Sequence, residues 1–150
     1  MGAAGSAEVV PRRTAASGTA ARWAVESAYR RFWLVAATVD SRPEPVWRAA
    51  LASVAADPLL TQIYEGLRQM RSAGERQFGT VVVHPMAIEI QGERASVIDC
   101  QDASAAGNLD VDTGLPTTVG SAHTSVAAAL VLGADGRWRV FQARYLDGTC

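Results

Sequence analysis

Hydrophobic residues in the first half of the chain recur at the spacing of helices. Between residues 22 and 40 they fall at three- and four-residue intervals, which predicts an amphipathic helix. Similar stretches at residues 45–56 and 58–72 predict two more helices, with Asp57 as N-cap of the third. Three helices are therefore expected before the pattern changes.

After residue 77 the hydrophobic period becomes two, which is typical of strands. The four predicted strands are residues 78–90, 94–102, 123–132 and 137–146. Pro85 predicts an edge position or a bulge in the first of them, and the last two form a hairpin around residues 133–136. The polar connection 103–120 is long for a compact domain, with a small hairpin expected at residues 112–114.

This order predicts an α+β fold, with three N-terminal helices packed on one face of a curved antiparallel sheet of about four strands. Hydrophobic residues make up 49% of the chain and charged residues 19%, which is typical of a globular domain, here residues 22–150. Residues 1–21 lack the apolar region of a signal peptide and are predicted to be a flexible linker or tail. They are either a natural N-terminus or what remains after an upstream signal or anchor is removed.

The net charge of −1 gives no reason to expect a nucleic-acid partner. No apolar run reaches the about 18–20 residues of a membrane-spanning helix. The two histidines, His84 and His123, do not have metal-ligand spacing, so neither a metal nor a cofactor is expected.

Candidate catalytic residues are few. Asp99 or His123 is the candidate general base, and Tyr29 is the candidate hydrogen-bond donor. The alternative is that each histidine lies at a solvated strand edge and that Asp99 is a hydrogen-bonded or solvent-facing carboxylate. Helices on a curved sheet enclose a tapering space, which is either a pocket or a filled core. The predicted pocket-lining residues are Tyr29, Phe32, Trp33, Tyr64, Asp99 and Tyr145.

The order of elements over residues 22–150 resembles the nuclear transport factor 2-like cone fold, the superfamily of SnoaL-like cyclases and ketosteroid isomerases. Residues 95–102 (Ala-Ser-Val-Ile-Asp-Cys-Gln-Asp), 135–140 (Asp-Gly-Arg-Trp-Arg-Val) and 148–150 (Gly-Thr-Cys) are similar to a group of actinobacterial exported or lipoprotein-like proteins. In that group a cysteine in a Val-x-Asp-Cys-x-Asp setting is matched by one at the C-terminus. This sequence departs from the group in having no lipobox.

The resemblance implies that Cys100 and Cys150, the only cysteines, form a disulfide in an oxidising compartment. A cysteine at the last position also has little packing reason to exist. The alternative is two unrelated thiols, one buried and one on a frayed terminus.

Two classes of function follow. The first is a non-enzymatic extracytoplasmic accessory module that acts through a protein partner or as a homo-oligomer. The alternative is an isomerase-, cyclase- or dehydratase-like enzyme, or binding of a small hydrophobic ligand in the cone without catalysis. A cytoplasmic location remains the alternative to export.

Overall fold

The first helix anchors the core. The computed structural model describes residues 18–150, and α1 spans Gly18–Thr38. It buries Val25, Tyr29, Phe32 and Ala36, whose spacing places them on one helical face. Residues 18–21, predicted to belong to the linker, are the first turn of this helix, and residues 1–17 of that predicted tail lie outside the described residues.

The second helix is shorter than predicted. Single 3₁₀ turns at Val39–Ser41 and Glu44–Val46 lead into α2, Trp47–Ala52. The chain then leaves helical geometry because its backbone pairs with a strand: Val54 O accepts from Val140 N at 3.0 Å, and Ala56 N donates to Val140 O at 2.9 Å. The third helix, α3, spans Leu59–Ser72, close to its predicted bounds. Asp57 Oδ1 accepts hydrogen bonds from the Thr61 backbone N–H and hydroxyl, which fixes the start of α3.

Seven strands follow within the described residues. They are β1 (Glu75–Phe78), β2 (Pro85–Gln91), β3 (Arg94–Gln101), β4 (Gly107–Asp110), β5 (Pro116–Val119), β6 (Thr124–Leu132) and β7 (Trp138–Tyr145). The main sheet is antiparallel in the order β2-β3-β6-β7. Its β2 edge carries a bulge between Pro85 and Ala87, as the proline predicted.

A second sheet, in the order β1-β4-β5, was not expected. The predicted strand 78–90 begins too early: only its second half is β2, which pairs with β3 in the main sheet, and Phe78 is instead the last residue of β1, which pairs with β4 in the second sheet. The predicted connection 103–120 contains β4 and β5, joined by the expected small hairpin, in which Gly114 N donates to Asp110 O at 2.8 Å. Glycine is required at position 107, where β4 and β5 approach each other closely, because a Cβ there would collide with the Thr118 carbonyl oxygen.

The core lies between α1 and the inner face of the main sheet. Alternate β3 residues Ala95, Val97 and Asp99 are buried on that face. A smaller cluster of Val39, Trp47, Leu51 and Leu67 joins the helices. The predicted α+β architecture is therefore confirmed, with the second sheet as an addition to it.

Candidate functional site: a cavity beside a buried aspartate

Cys100 and Cys150 form the expected disulfide, with their Cα atoms 5.7 Å apart. Cys100 lies opposite Ser125 in the β3–β6 ladder. After β7 the chain stays close to the same point, because Leu146 N donates to Ser125 O at 2.9 Å. Gly148, with φ +85°, then allows the tail to turn toward β3. The C-terminus is therefore covalently attached to a central strand.

Asp99 is fully buried on the opposite face of β3 from Cys100. Its Oδ2 accepts a 2.6 Å hydrogen bond from the Tyr29 hydroxyl of α1, and its Oδ1 accepts a 2.6 Å hydrogen bond from the backbone N–H of His84. Gln101 Nε2 donates to Tyr29 Oη at 3.4 Å. One carboxyl group thus joins α1, β3 and the segment that precedes β2.

Burial is the main reason that the pKa of Tyr29 rises above its ordinary value, and the Asp99 hydrogen bond and charge add to the rise. The neighbouring Trp33 and Gln101 side chains partly oppose it. Tyr29 therefore stays protonated and donates to Asp99. It does not act as a proton acceptor at neutral pH.

A two-lobed cavity lies next to this cluster. One lobe, of about 310 Å³, is a pocket partly open to solvent and lined by α1, the second sheet and the neighbouring loops, and the other, of about 250 Å³ and also partly open, is lined by α1, α3, β6 and β7. The lobes share Trp33, Ala36, Gln77 and Tyr145. Among the described residues that line them, only Arg144 is charged. Remaining polar groups include Asn108 and Thr118 in the first lobe.

Trp33 connects the cavity to the aspartate cluster. It lines both lobes and packs edge-on against Tyr29, with ring centroids 6.3 Å apart. Its Nε1 is shielded from solvent and makes no hydrogen bond of normal geometry with any described residue. The same holds for Oε1 of Gln77, which also lines both lobes. A buried acceptor such as Gln77 Oε1 costs about 1–3 kcal/mol when it stays unpaired, whereas Trp33 Nε1 lies close enough to the Tyr29 hydroxyl to lower the pKa of Tyr29.

The structure divides the residues proposed for the site. Phe32, Trp33 and Tyr145 line the cavity, whereas Tyr29 and Asp99 lie outside its lining. Tyr64 lies elsewhere, with the guanidinium carbons of Arg48 and Arg68 at 5.4 and 5.7 Å from its ring centroid, because α3 turns it toward α2.

Neither histidine reaches the cavity lining. His123 is exposed in the bend before β6. His84 is exposed at the sheet edge, where its Nδ1 lies 3.1 Å from the Cys100 carbonyl oxygen.

The sequence pattern missed Gln77 and the cavity wall formed by residues of the second sheet. Gln77 belongs to a short polar strand, and its backbone N–H donates to Asp40 Oδ2 at 2.8 Å, so its position depends on a tertiary contact. Within residues 18–150 there is no cluster of side chains suited to a metal ion. None of the helices in that part of the chain is long and apolar enough to span a membrane.

The fold is that of ketosteroid isomerase-like proteins. The sequence matches no protein-family model and no curated protein. A protein from Catenulispora acidiphila is 18% identical with a TM-score of 0.56, over 87% of this chain and 93% of its own. A Catenulispora acidiphila structure in complex with S-DNPA has a TM-score of 0.54 at 18% identity, over 85% and 92% of the two chains.

A ketosteroid isomerase-like protein from Erwinia carotovora atroseptica has a TM-score of 0.54 at 13% identity, over 85% of this chain and 97% of its own. Identities this low establish the shared cone architecture only, so the chemistry of this chain must be argued from its own residues.

Proposed function

We propose that this chain is a non-catalytic, extracytoplasmic cone-fold module that binds a small, uncharged, largely apolar molecule. The two-lobed cavity carries the proposal, because its lining is almost entirely neutral and lies apart from the buried carboxylate. Its lobes are near the lower end of the range of ligand pockets, so they suit a molecule of one or two fused rings.

The walls define the ligand further. Phe78, Val81 and Ala106 give one lobe an apolar surface, and Leu59 and Ile63 do so in the other. Gln77 belongs to both lobes and has an unpartnered amide oxygen. Rotation of that amide toward the cavity would let it accept a hydrogen bond from a ligand hydroxyl and so remove the cost of an unpaired acceptor.

The state of Asp99 favours binding over catalysis. A general base must reach the proton that it removes, at about 2.6–3.2 Å or through one water. Both oxygens of Asp99 already accept hydrogen bonds from the protein, and the residue is outside the cavity lining. The isomerase-like alternative would require this cluster to open, whereas ligand binding requires no such change. The S-DNPA complex of the Catenulispora acidiphila protein is compatible with a small ligand in a related fold.

The disulfide supports the extracytoplasmic location, because such bonds seldom persist in a reducing cytosol. The cysteine placement also supports membership in the actinobacterial exported group that residues 95–102 and 148–150 resemble. Thiol titration of the freshly isolated, denatured protein under non-reducing conditions tests this. No free thiol is expected, and two free thiols would contradict the proposed compartment.

The ligand site is tested with 2-naphthol as a neutral, hydroxylated probe. Titration of ¹⁵N-labelled protein is expected to shift the indole N–H signal of Trp33, which lines both lobes. Ala36→Leu places a larger side chain between the lobes and should weaken binding at least tenfold. Ala49→Leu, at an exposed position of α2, is the matched control.

Binding that is equal in the two variants, or a Trp33 signal that does not move, would contradict the cavity as the site. If Ala36→Leu does not fold, Ala106→Val serves as a milder block at the wall of the first lobe.

A protein partner or self-association is the second candidate function. Leu115, Val119 and Tyr145 are large apolar side chains that are more than half exposed, and the latter two line the cavity. Size-exclusion chromatography with light scattering should then show an oligomer that Val119→Ser dissociates. A monomer at all concentrations would remove self-association from consideration.

A further inference from the structure

A second groove lies along the N-terminal half of α1 and shares no residue with the two-lobed cavity. It has a volume of about 310 Å³ and lies between α1, the Ser53–Val54 turn and the β6–β7 hairpin. We propose that this groove binds a small aromatic carboxylate, with two indoles holding the ring and two arginines holding the charge.

The aromatic part of the argument rests on Trp23 and Trp138, which both line the groove. Trp23 is 70% exposed, which is unusual for so large an apolar side chain, and Trp138 is half-buried. No ring contact joins the two indoles within residues 18–150. Because the two indole rings do not stack on each other, both are available to contact a planar group that enters the groove.

The charged part rests on Arg31 and Arg137, both exposed and both lining the groove. Neither guanidinium has an ion pair or hydrogen bond among the described residues. Their neighbours differ: Arg30 pairs with Glu26 at 3.0 Å, and Arg139 pairs with Asp135 at 2.8 Å.

No acidic residue lines the groove. The Asp135 carboxylate, which interacts electrostatically with Arg137, is hydrogen-bonded to two nitrogens of Arg139, at 2.9 and 2.8 Å. Two guanidiniums without a direct ion pair to a described residue therefore line the groove together with the two indoles. A planar carboxylate complements both properties, since guanidinium groups bind carboxylates in a forked geometry and stack on aromatic faces.

The proposal is tested with the full chain and 2-naphthoate as probe, followed through the indole N–H signals, each assigned with a single Trp→Phe variant. The signals of Trp23 and Trp138 are expected to shift, while that of Trp47 does not. Neutral 2-naphthol and ringless acetate should each bind the groove at least tenfold more weakly, and added salt should weaken naphthoate binding.

The double variant Arg31→Gln/Arg137→Gln should bind naphthoate about tenfold more weakly, the sum expected for two exposed ion pairs. Arg76→Gln, at an exposed position outside the groove, should bind like the parent. Trp23→Ala, at a largely exposed position, should weaken binding without affecting the fold.

Three results would overturn the proposal: unshifted Trp23 and Trp138 signals at millimolar naphthoate, equal groove binding by naphthol, or an unchanged affinity of the double variant. Naphthoate that shifts only Trp33 would place the anion in the two-lobed cavity instead. Because 2-naphthol tests that cavity separately, failure of one site leaves the other measurable.

Discussion

Replacing Asp99 with alanine is expected to lower the free energy of unfolding by about 3–6 kcal/mol. The carboxylate accepts two hydrogen bonds of 2.6 Å, from the Tyr29 hydroxyl and from His84 N. Hydrogen bonds to a charged group contribute about 1.5–3 kcal/mol each, and both donors would remain buried or partly buried without an acceptor. Tyr29→Phe removes only one of these bonds and should cost about 1.5–3 kcal/mol.

Urea denaturation followed by tryptophan fluorescence measures both effects, and the double variant completes a thermodynamic cycle. In the Asp99→Ala background, Tyr29→Phe should cost less than about 1 kcal/mol, because it then removes a hydroxyl that has lost its main acceptor. Asp112→Ala, in the exposed β4–β5 turn, is the control and should change stability by less than about 0.5 kcal/mol. A loss below about 1 kcal/mol for Asp99→Ala, or additive single effects, would refute a structural role for this carboxylate.

Two further predictions concern stability. Cys150→Ser should lower the free energy of unfolding by about 4 kcal/mol, because the disulfide closes a loop with a sequence separation of 50, and the parent protein measured by urea denaturation in reductant should match the variant. The raised pKa of Tyr29 predicts a pH-dependent contribution to the free energy of unfolding. This contribution is complete below the unfolded-state pKa of 10.0 and decreases above it by up to about 1.4 kcal/mol per pH unit. The decrease arises because the tyrosine loses its proton in the unfolded chain and keeps it in the folded chain. Tyr29→Phe should lack this component between pH 9 and 11, and equal slopes for the two proteins would contradict it.

The hydrophobic pattern predicted the elements whose burial alternates regularly. The stripe from Val25 to Ala36 and the alternation of β3 both correspond to buried faces. The second sheet was missed because its strands are short and lack alternation: all four β5 residues are exposed, and β1 is Glu-Arg-Gln-Phe. Where a strand has no buried face, its position depends on partners distant in sequence, and the pattern does not encode them.

The candidate site shows the same division. Phe32 was placed in the lining because it belongs to the apolar stripe of a recognisable helix, and Trp33 because it lies at the margin of that stripe. Tyr29 and Asp99 are also on inner faces, but they form a hydrogen bond with each other although they are 70 residues apart in sequence. Neither side chain therefore lines the cavity. Tyr64 was expected to line the pocket, but its ring contacts two arginines instead. The local sequence pattern does not distinguish a tyrosine that lines a pocket from one that packs against arginines.

The attachment of the last residue to a central strand determines how the domain would carry mechanical load. A force applied between its two ends passes along the chain to Cys100 and then directly through the sulfurs to Cys150, so residues 101–149 bear no tension while the bond is intact. These residues include β4 to β7. At about 3.5 Å per residue, this segment would be roughly 170 Å long when fully extended, and it can extend only after the disulfide is reduced. Under tension, the oxidised protein would therefore extend only through the residues before Cys100, which include the helices, β1, β2 and most of β3, and a thiol reagent would control how far it stretches.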